Sequence, residues 1–304
     1  MPKIELNELE RLWDFEASPA FADEFSKIEL SFDYLSEENR DAAILKVLNT
    51  LDDDLVKVGA HRANDWERGW GENYKNFKET KNIEDVIPKY FNKIPQIRWK
   101  QNWIQPQSPT MEYDMLGLLI NFVTEKYLNG FDDVFEFGCG TGHNLLRMRK
   151  RLTNTNLHGL DWATSSQDLI RELASTLGDE KLHAENFNYF EPNYNINFSD
   201  NSAVITVASL EQTGDHFVDF ISFLQEKKPK LVIHIEPMWE PLDRTNLLDF
   251  LSIKYFQKRQ YLNGLQQHIE QLENAGQAKV VAAQRTQIGS FFIDGYSLLV
   301  WKPL

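Results

Sequence analysis

The pattern of apolar and polar positions changes character near residue 110. Ahead of that point there is no strand-like alternation. After Ser36, apolar side chains recur at Ala43, Ile44, Val47, Leu48 and Leu51, the spacing of one helix face, with Ser36 as N-cap and acids in the first turn. Trp66, Trp70, Tyr74 and Phe77 then repeat at intervals of 4, 4 and 3, an aromatic stripe on a second helix. Such a stripe either packs on the rest of the chain or walls a pocket. Proline and glutamine cluster over residues 104–110, which reads as a linker or crossing loop.

Beyond it strands and helices alternate. The pattern predicts helices over 111–128, 141–152, 165–177 and 217–226, and a long helical region over 245–274 broken at Asn263-Gly264. It predicts strands over 133–137, 157–160, 181–185, 203–208 and 231–235, and a last pair over 280–285 and 297–301, joined around Gly289 and Gly295. Alternation of this kind makes a parallel sheet covered by helices on both faces. The final two strands have no helix between them, so one of them runs antiparallel. The expected fold is α/β: a Rossmann-like, doubly wound, mostly parallel seven-stranded sheet with an antiparallel C-terminal strand, preceded by a helical extension. The expected division is 1–110 for the extension, a lid or substrate-binding segment, and 111–304 for the α/β domain.

Composition narrows the class. The 304 residues are 42% hydrophobic and 12% aromatic, enough for a sizeable core and unlike a disordered chain. The net charge of −14 disfavours nucleic acid as a partner. The acid is concentrated: residues 1–60 hold 6 basic and 15 acidic side chains, whereas 61–110 hold 9 basic and 6 acidic. Cys139 is the single cysteine, so neither an intrachain disulfide nor a thiolate metal cage is expected, and a reducing cytoplasm suits it. The charged N-terminus and the shortness of the apolar runs predict no signal peptide and no membrane span.

The chemistry concentrates at strand ends. The first predicted strand runs into Gly138, Cys139, Gly140 and Gly142, and a helix follows at once. Glycines there admit positive φ and close ligand approach, and the helix start adds free N–H groups. Dinucleotide folds want G-x-G-x-x-G, but here the third glycine position is His143. Glu136, inside the strand, would repel a diphosphate and would suit an ammonium or a sulfonium. Asp161 ends the second strand, placed for two ribose hydroxyls or to cap the next helix, and Trp162 beside it offers an adenine-sized face. Asn186 and Phe187 end the third strand, and Ser209 and Glu211 follow the fourth.

With Glu136-x-Gly138-x-Gly140-x-Gly142, Asp161 and Asn186 in register, residues 111–304 resemble the class I S-adenosylmethionine-dependent methyltransferases. The resemblance implies S-adenosyl-L-methionine as cofactor, bound by Glu136, Gly138, Cys139, Gly140, Gly142, Asp161, Trp162, Asn186, Phe187 and Ser209. A narrower resemblance, carried by Ser209-Leu-Glu-Gln, His234-Ile-Glu-Pro and Lys258-Arg-Gln-Tyr-Leu, is to uncharacterised bacterial methyltransferases found among polysaccharide-biosynthesis genes.

Methyl transfer from a sulfonium is an in-line displacement, for which a protein chiefly supplies alignment and exclusion of water. An alcohol acceptor also needs a base. Glu211, His234 and Glu236 are the candidates; His234 and Glu236 share one strand face by the period of two. The Asn/Asp-Pro-Pro-aromatic tetrad of amino-methylating enzymes is absent from the fourth strand. A small or sugar-like acceptor, methylated at oxygen or nitrogen under an aromatic-rich extension, is the expectation. The rivals are an NAD-dependent oxidoreductase and a non-catalytic binding protein of the same fold.

Overall fold

Serines start two of the first helices in the computed structural model, which describes residues 1–304. Ser18 Oγ accepts the Phe21 N–H (3.0 Å) ahead of Pro19, and Ser36 Oγ accepts the Asn39 N–H (3.2 Å). The first 110 residues form α1 (Leu6–Trp13), α2 (Pro19–Ser26), β1 (Phe32–Tyr34), α3 (Glu37–Asp52), α4 (Ala63–Thr80), β2 (Ile97–Trp99) and β3 (Asn102–Pro106).

Three short strands in this segment depart from the all-helical expectation. The β2–β3 hairpin turns at Lys100 and Gln101, with φ of 48° and 58°. A turn with two left-handed residues ordinarily announces itself by Asn or Gly, and neither stands there. Part of the expected crossing loop is therefore strand β3.

The second part follows the predicted alternation: α5 (Met111–Val123, continued by one π turn to Leu128), β4 (Asp133–Phe137), α6 (His143–Arg149), β5 (Asn156–Asp161), α7 (Thr164–Leu177), β6 (Leu182–Asn186), β7 (Ser202–Val207), α8 (Phe217–Lys227), β8 (Leu231–Glu236), α9 (Leu247–Arg259), α10 (Leu265–Asn274), β9 (Ala278–Gln284), β10 (Ile288–Gly289) and β11 (Ser297–Pro303). The seven-stranded sheet has the order β6-β5-β4-β7-β8-β11-β9. Neighbours from β6 to β8 pair in parallel, and β11 lies antiparallel to both β8 and β9. The order reverses between β4 and β7, and the crevice beyond that switch point is where such sheets take ligands.

Alternation along each strand splits the core. Val134, Leu157, Ile205, Ile233 and Leu298 face one side, packed with α5 and with Leu9, Trp13 and Phe21 from α1 and α2. Phe135, Phe137, Val204, Val232 and Trp301 face the other, against Phe220, Phe223 and Ile269. The apolar cluster on the first side thus runs across residue 110 without a break. A second sheet, β1-β3-β2-β10, does the same, because its last strand comes from residues 288–289.

Two polar devices lock the parts together. Glu67 of α4 accepts the Ser165 N–H (3.1 Å), and Ser165 Oγ donates to Glu67 O (2.9 Å), so one helix caps the start of α7. Arg285 meets Asp249 at 2.7 and 2.8 Å and also pairs with Asp294, while Arg98 of β2 donates to the Leu248, Phe291 and Phe292 carbonyls and to Ser252 Oγ. Asp249 is wholly buried. Removing Asp249 takes one of two carboxylates from Arg285 and the acceptor from the Gln101 side chain and the Asp243 N–H, so shielded donors are left unmatched. Asp249→Ala is therefore expected to cost about 3–5 kcal/mol of stability by urea denaturation; a loss under about 1 kcal/mol, the scale of an exposed pair, would mean the network is dispensable.

Candidate active site

β4 ends in a bend that only residues without a Cβ can make. Gly138 and Gly140 have φ of 67° and 54°; a Cβ on Gly138 would stand 2.4 Å from Ser209 Cβ, and one on Gly140 would stand 2.9 Å from the Trp70 ring. The bend is held from β5: Asp161 Oδ2 accepts the Gly140 N–H (3.0 Å) and Oδ1 the Ala163 N–H (2.9 Å), and Ser166 Oγ donates to the Gly140 carbonyl. Gly142, also left-handed, is the residue before α6, and the predicted helix over 141–152 is accordingly shorter.

A cavity of about 610 Å³ opens over this bend. Gly138, Cys139, Gly140, Asp161, Trp162, Phe187, Ser209 and Glu211 all line it. Trp162 stacks on Phe190 (5.8 Å, 26°), and Ser209 Oγ donates to the Phe137 carbonyl (3.0 Å). Burial and the nearby Asp161 push the Cys139 thiol well up, so it is a small neutral wall residue and no nucleophile.

Other predicted site residues lie off the cavity. Glu136 is buried behind it; its Oε1 accepts from Asn144 Nδ2 (2.9 Å), and Asn144 is the residue that reaches the cavity. Gly142 packs towards Ile170, and Asn186 is exposed and turns back to donate to the Trp162 carbonyl (3.3 Å). His234 is corrected outright as a base: it is fully buried, Nδ1 shares a hydrogen with Thr206 Oγ1 (2.9 Å), and Nε2 accepts from Trp301 Nε1 (3.1 Å). Burial holds its pKa down at about 3.

Glu236 is corrected in a different way. Its carboxyl accepts the N–H groups of Ser209, Leu210 and Glu211 at 3.1–3.4 Å, so it shapes the turn after β7 and does not face the cavity. That turn begins at Ala208, whose φ of 44° is strained for a residue with a Cβ. Burial and the adjacent Glu211 push Glu236 well above the carboxylate range, because two carboxyls so close do not both ionise; Glu211 is raised too, by its own burial, against the hydrogen bond from Glu236 that lowers it.

Much of the lining comes from outside the strand ends. Trp66, Trp70 and Tyr90 come from the first segment, Glu112 from the start of α5, and Tyr255, Arg259 and Tyr261 from the end of α9 and beyond. The aromatic stripe of α4 was visible in sequence, with both of its meanings; Trp70 fulfils both, packing on Gly140 and walling the cavity. Glu112 Oε1 accepts from the Tyr296 hydroxyl (3.4 Å), and burial raises its pKa to about 7. His143 lines the cavity with Nδ1 at 3.2 Å from Thr141 Oγ1 and Nε2 unpartnered; burial and Arg147 keep it neutral.

The site is therefore rich in acceptors. Glu136 Oε2 and Asn144 Oδ1 are buried with no donor near them. Burial pushes Glu136 up to about 8 and Asp161 to about 6. A ligand group carrying N–H donors or positive charge would satisfy these atoms; a diphosphate would not.

The sequence matches no protein-family model and no curated protein. Solved structures do resemble it. An O-methyltransferase family protein from Burkholderia thailandensis is 14% identical, with 86% of this chain and 71% of that chain covered and a TM-score of 0.50. Geranyl diphosphate methyltransferase in complex with SAM is 11% identical over 66% of this chain and 92% of that one, TM-score 0.49. Magnesium protoporphyrin IX methyltransferase from Synechocystis PCC 6803 with bound SAH is 11% identical over 64% of this chain and 87% of that one, TM-score 0.48. At these identities the likeness is one of fold: the chain has the Rossmann-like class I methyltransferase fold. None of these likenesses supports the narrower resemblance to polysaccharide-biosynthesis methyltransferases.

The buried carboxyls make a stability prediction. Asp161, Glu112 and Glu136 hold protons more tightly folded than unfolded, so the stability they lend is present at low pH and lost as pH rises through about 6, 7 and 8. His158, raised by Glu185 and Asp133, works in the same sense. His143 and His234 oppose it only below about pH 6.5, the ordinary histidine value. The urea midpoint of the ligand-free protein should fall from about pH 6.5 to about pH 8.5, and Glu136→Gln should flatten the fall. A midpoint that rises across this window would contradict the buried protonated state.

Proposed function

We propose that this protein is an S-adenosyl-L-methionine-dependent methyltransferase acting on a small-molecule or sugar-like acceptor, at oxygen or nitrogen. The observation that carries the reading is the buried, unpartnered Asn144 Oδ1 on the cavity wall beside the glycine bend, backed by Glu136 Oε2 one layer behind it. At the bend these acceptors fit an ammonium and offer a dinucleotide's diphosphate no donor, which disfavours the oxidoreductase. Asp161 would take the ribose hydroxyls, with Trp162 and Phe187 as the apolar surfaces nearest an adenine. Bound there, S-adenosylmethionine supplies a methyl group already activated by positive sulfur.

The chain's own work is positioning and dryness. In this reading residues 1–110 form the substrate-side wall, and residues 111–304 form the cofactor-binding domain. Trp66 and Trp70 line the cavity and would keep water from the reacting atoms. Of the three bases expected, Glu211 alone lines the cavity; Glu112 joins it there, with a proton affinity near neutrality suited to accepting an acceptor's proton. No helix is long and apolar enough to cross a membrane, and a cytoplasmic setting suits the single unpaired thiol.

Isothermal titration tests the cofactor. S-adenosylhomocysteine should bind and NAD should not, and Asp161→Ala should weaken the former roughly 10–100-fold, the value of hydrogen bonds to a charged group. Binding of NAD alone would favour the oxidoreductase, and affinity for neither the non-catalytic reading. Once transfer of a labelled methyl identifies an acceptor, kcat should rise with pH around 7, where Glu112 loses its proton, and Glu112→Gln should abolish that limb. An unchanged profile would remove Glu112 as the base.

A further inference from the structure

The cofactor reading uses the walls built by the ends of β4 to β7. The rest of the lining holds Arg62, at the start of α4, and Arg259, in the last turn of α9, among the rings of Trp66, Tyr255 and Tyr261. We propose that this part of the cavity is a subsite for an oxyanion on the acceptor, a carboxylate or a phosphate, gripped by Arg259 and Arg62. The proposal rests on the methyl-transfer reading for its meaning, but not for its test.

The Arg259 guanidinium makes no hydrogen bond, and the Glu211 carboxyl on the same cavity wall feels its charge without bonding to it. Arg259 Nε is shielded from solvent and has no hydrogen-bond partner, and the guanidinium stands over the Tyr261 ring at 5.5 Å. Arg62 is barely better matched: its contacts to Asp65 and to Gln212 Oε1 are both 3.4 Å, at the long edge of a hydrogen bond, and it lies over Trp66 at 5.1 Å. Other shielded arginines also carry an unmatched nitrogen, Arg147 Nη1 and Arg285 Nε, but each has a firm partner: Arg147 donates to the Tyr113 carbonyl (2.8 Å) and stands over the Tyr113 ring. Arg285 has two carboxylates, Arg98 has three carbonyls and a hydroxyl, and Arg149 has Asp179 and three carbonyls.

The backbone keeps Arg259 beside the reacting end of the cavity. The Val58 N–H donates to Arg259 O (3.0 Å), and the Leu262 N–H donates to Glu211 O (3.3 Å). Arg62 and Arg259 both act on the Tyr255 phenol, each easing its ionisation against burial, so the two cations share one neighbourhood. Two guanidiniums facing an aromatic-lined space repel each other and forgo most of their hydrogen bonds. A planar or tetrahedral oxyanion relieves both defects, since each guanidinium fork fits two of its oxygens. Surrounding rings would hold the apolar body of the acceptor. The chain's net charge of −14 disfavours a general attraction for anions, so these cations select by placement.

Benzoate, phenyl phosphate and neutral benzamide test the subsite on the full chain. Trp66, Trp70 and Trp162 line the cavity, so tryptophan fluorescence excited at the red edge of the indole band reports occupancy. One or both anions should bind, and benzamide should bind about tenfold more weakly or worse; the tighter anion names the group. Arg259→Gln should erase the preference for acid over amide, Arg259→Lys should restore part of it, and both should bind S-adenosylhomocysteine within about twofold of the parent, which certifies the fold. Amide binding equal to acid, binding of neither anion, or an undiminished preference in Arg259→Gln would overturn the proposal. Anion binding without S-adenosylhomocysteine binding would instead overturn the cofactor reading and leave the subsite standing.

Discussion

Everything in this molecule turns on how closely Trp70 approaches Gly140. The gap is too small for a Cβ, so the bend must be bare backbone, and a helix from the first segment lies directly on it. That single contact brings α4 over the crevice left by the strand-order reversal between β4 and β7. It converts an open notch at the strand ends into a deep cavity with aromatic walls. Asp161 enforces it from below by hydrogen-bonding Gly140, and Glu67 enforces it from the side by capping α7.

The electrostatics follow from the same closure. A carboxylate at a strand end open to water would ionise freely. Under α4 and the turn after β7, Glu112, Glu136, Asp161, Glu211 and Glu236 are all raised by burial. The pocket and the layer behind it thus gather acids whose proton affinity is raised, and on the other wall two arginines short of partners. Such an interior suits a cationic ligand beside an anionic one, with the reacting centre between.

The sheet was legible because its strands are apolar runs bounded by glycine and polar residues. Asp133–Phe137 and the hydrophobic 203–208 run announce themselves by composition alone. The period of two also ordered Val232, His234 and Glu236 on one face. It could not say how deep each lies: His234 is walled in by Thr206 and Trp301, and Glu236 is consumed by three backbone N–H groups. Depth is a property of the neighbours, and those come from β11 and from the turn after β7. The β2–β3 hairpin stayed hidden because Lys100 and Gln101 take a glycine-like backbone without being glycine. Glu112 and Arg62 carry no local signal, and Arg259, in a basic run with Lys254 and Lys258, reads from sequence either as part of a solvated helix face or as an anchor for an anionic small molecule; tertiary packing brings the three to one cavity.

The second sheet has an implication for how the chain is made. Strands β1, β3 and β2 belong to the first third of the sequence, yet their last partner, β10, lies at residues 288–289. Trp13 likewise donates its indole hydrogen to the Thr286 carbonyl (3.1 Å). During synthesis the Trp13 indole and the outer edge of β2 must therefore wait for their partners until residues 286–289 have left the ribosome. The segment ahead of residue 110 is completed by residues that follow the whole parallel part of the large sheet.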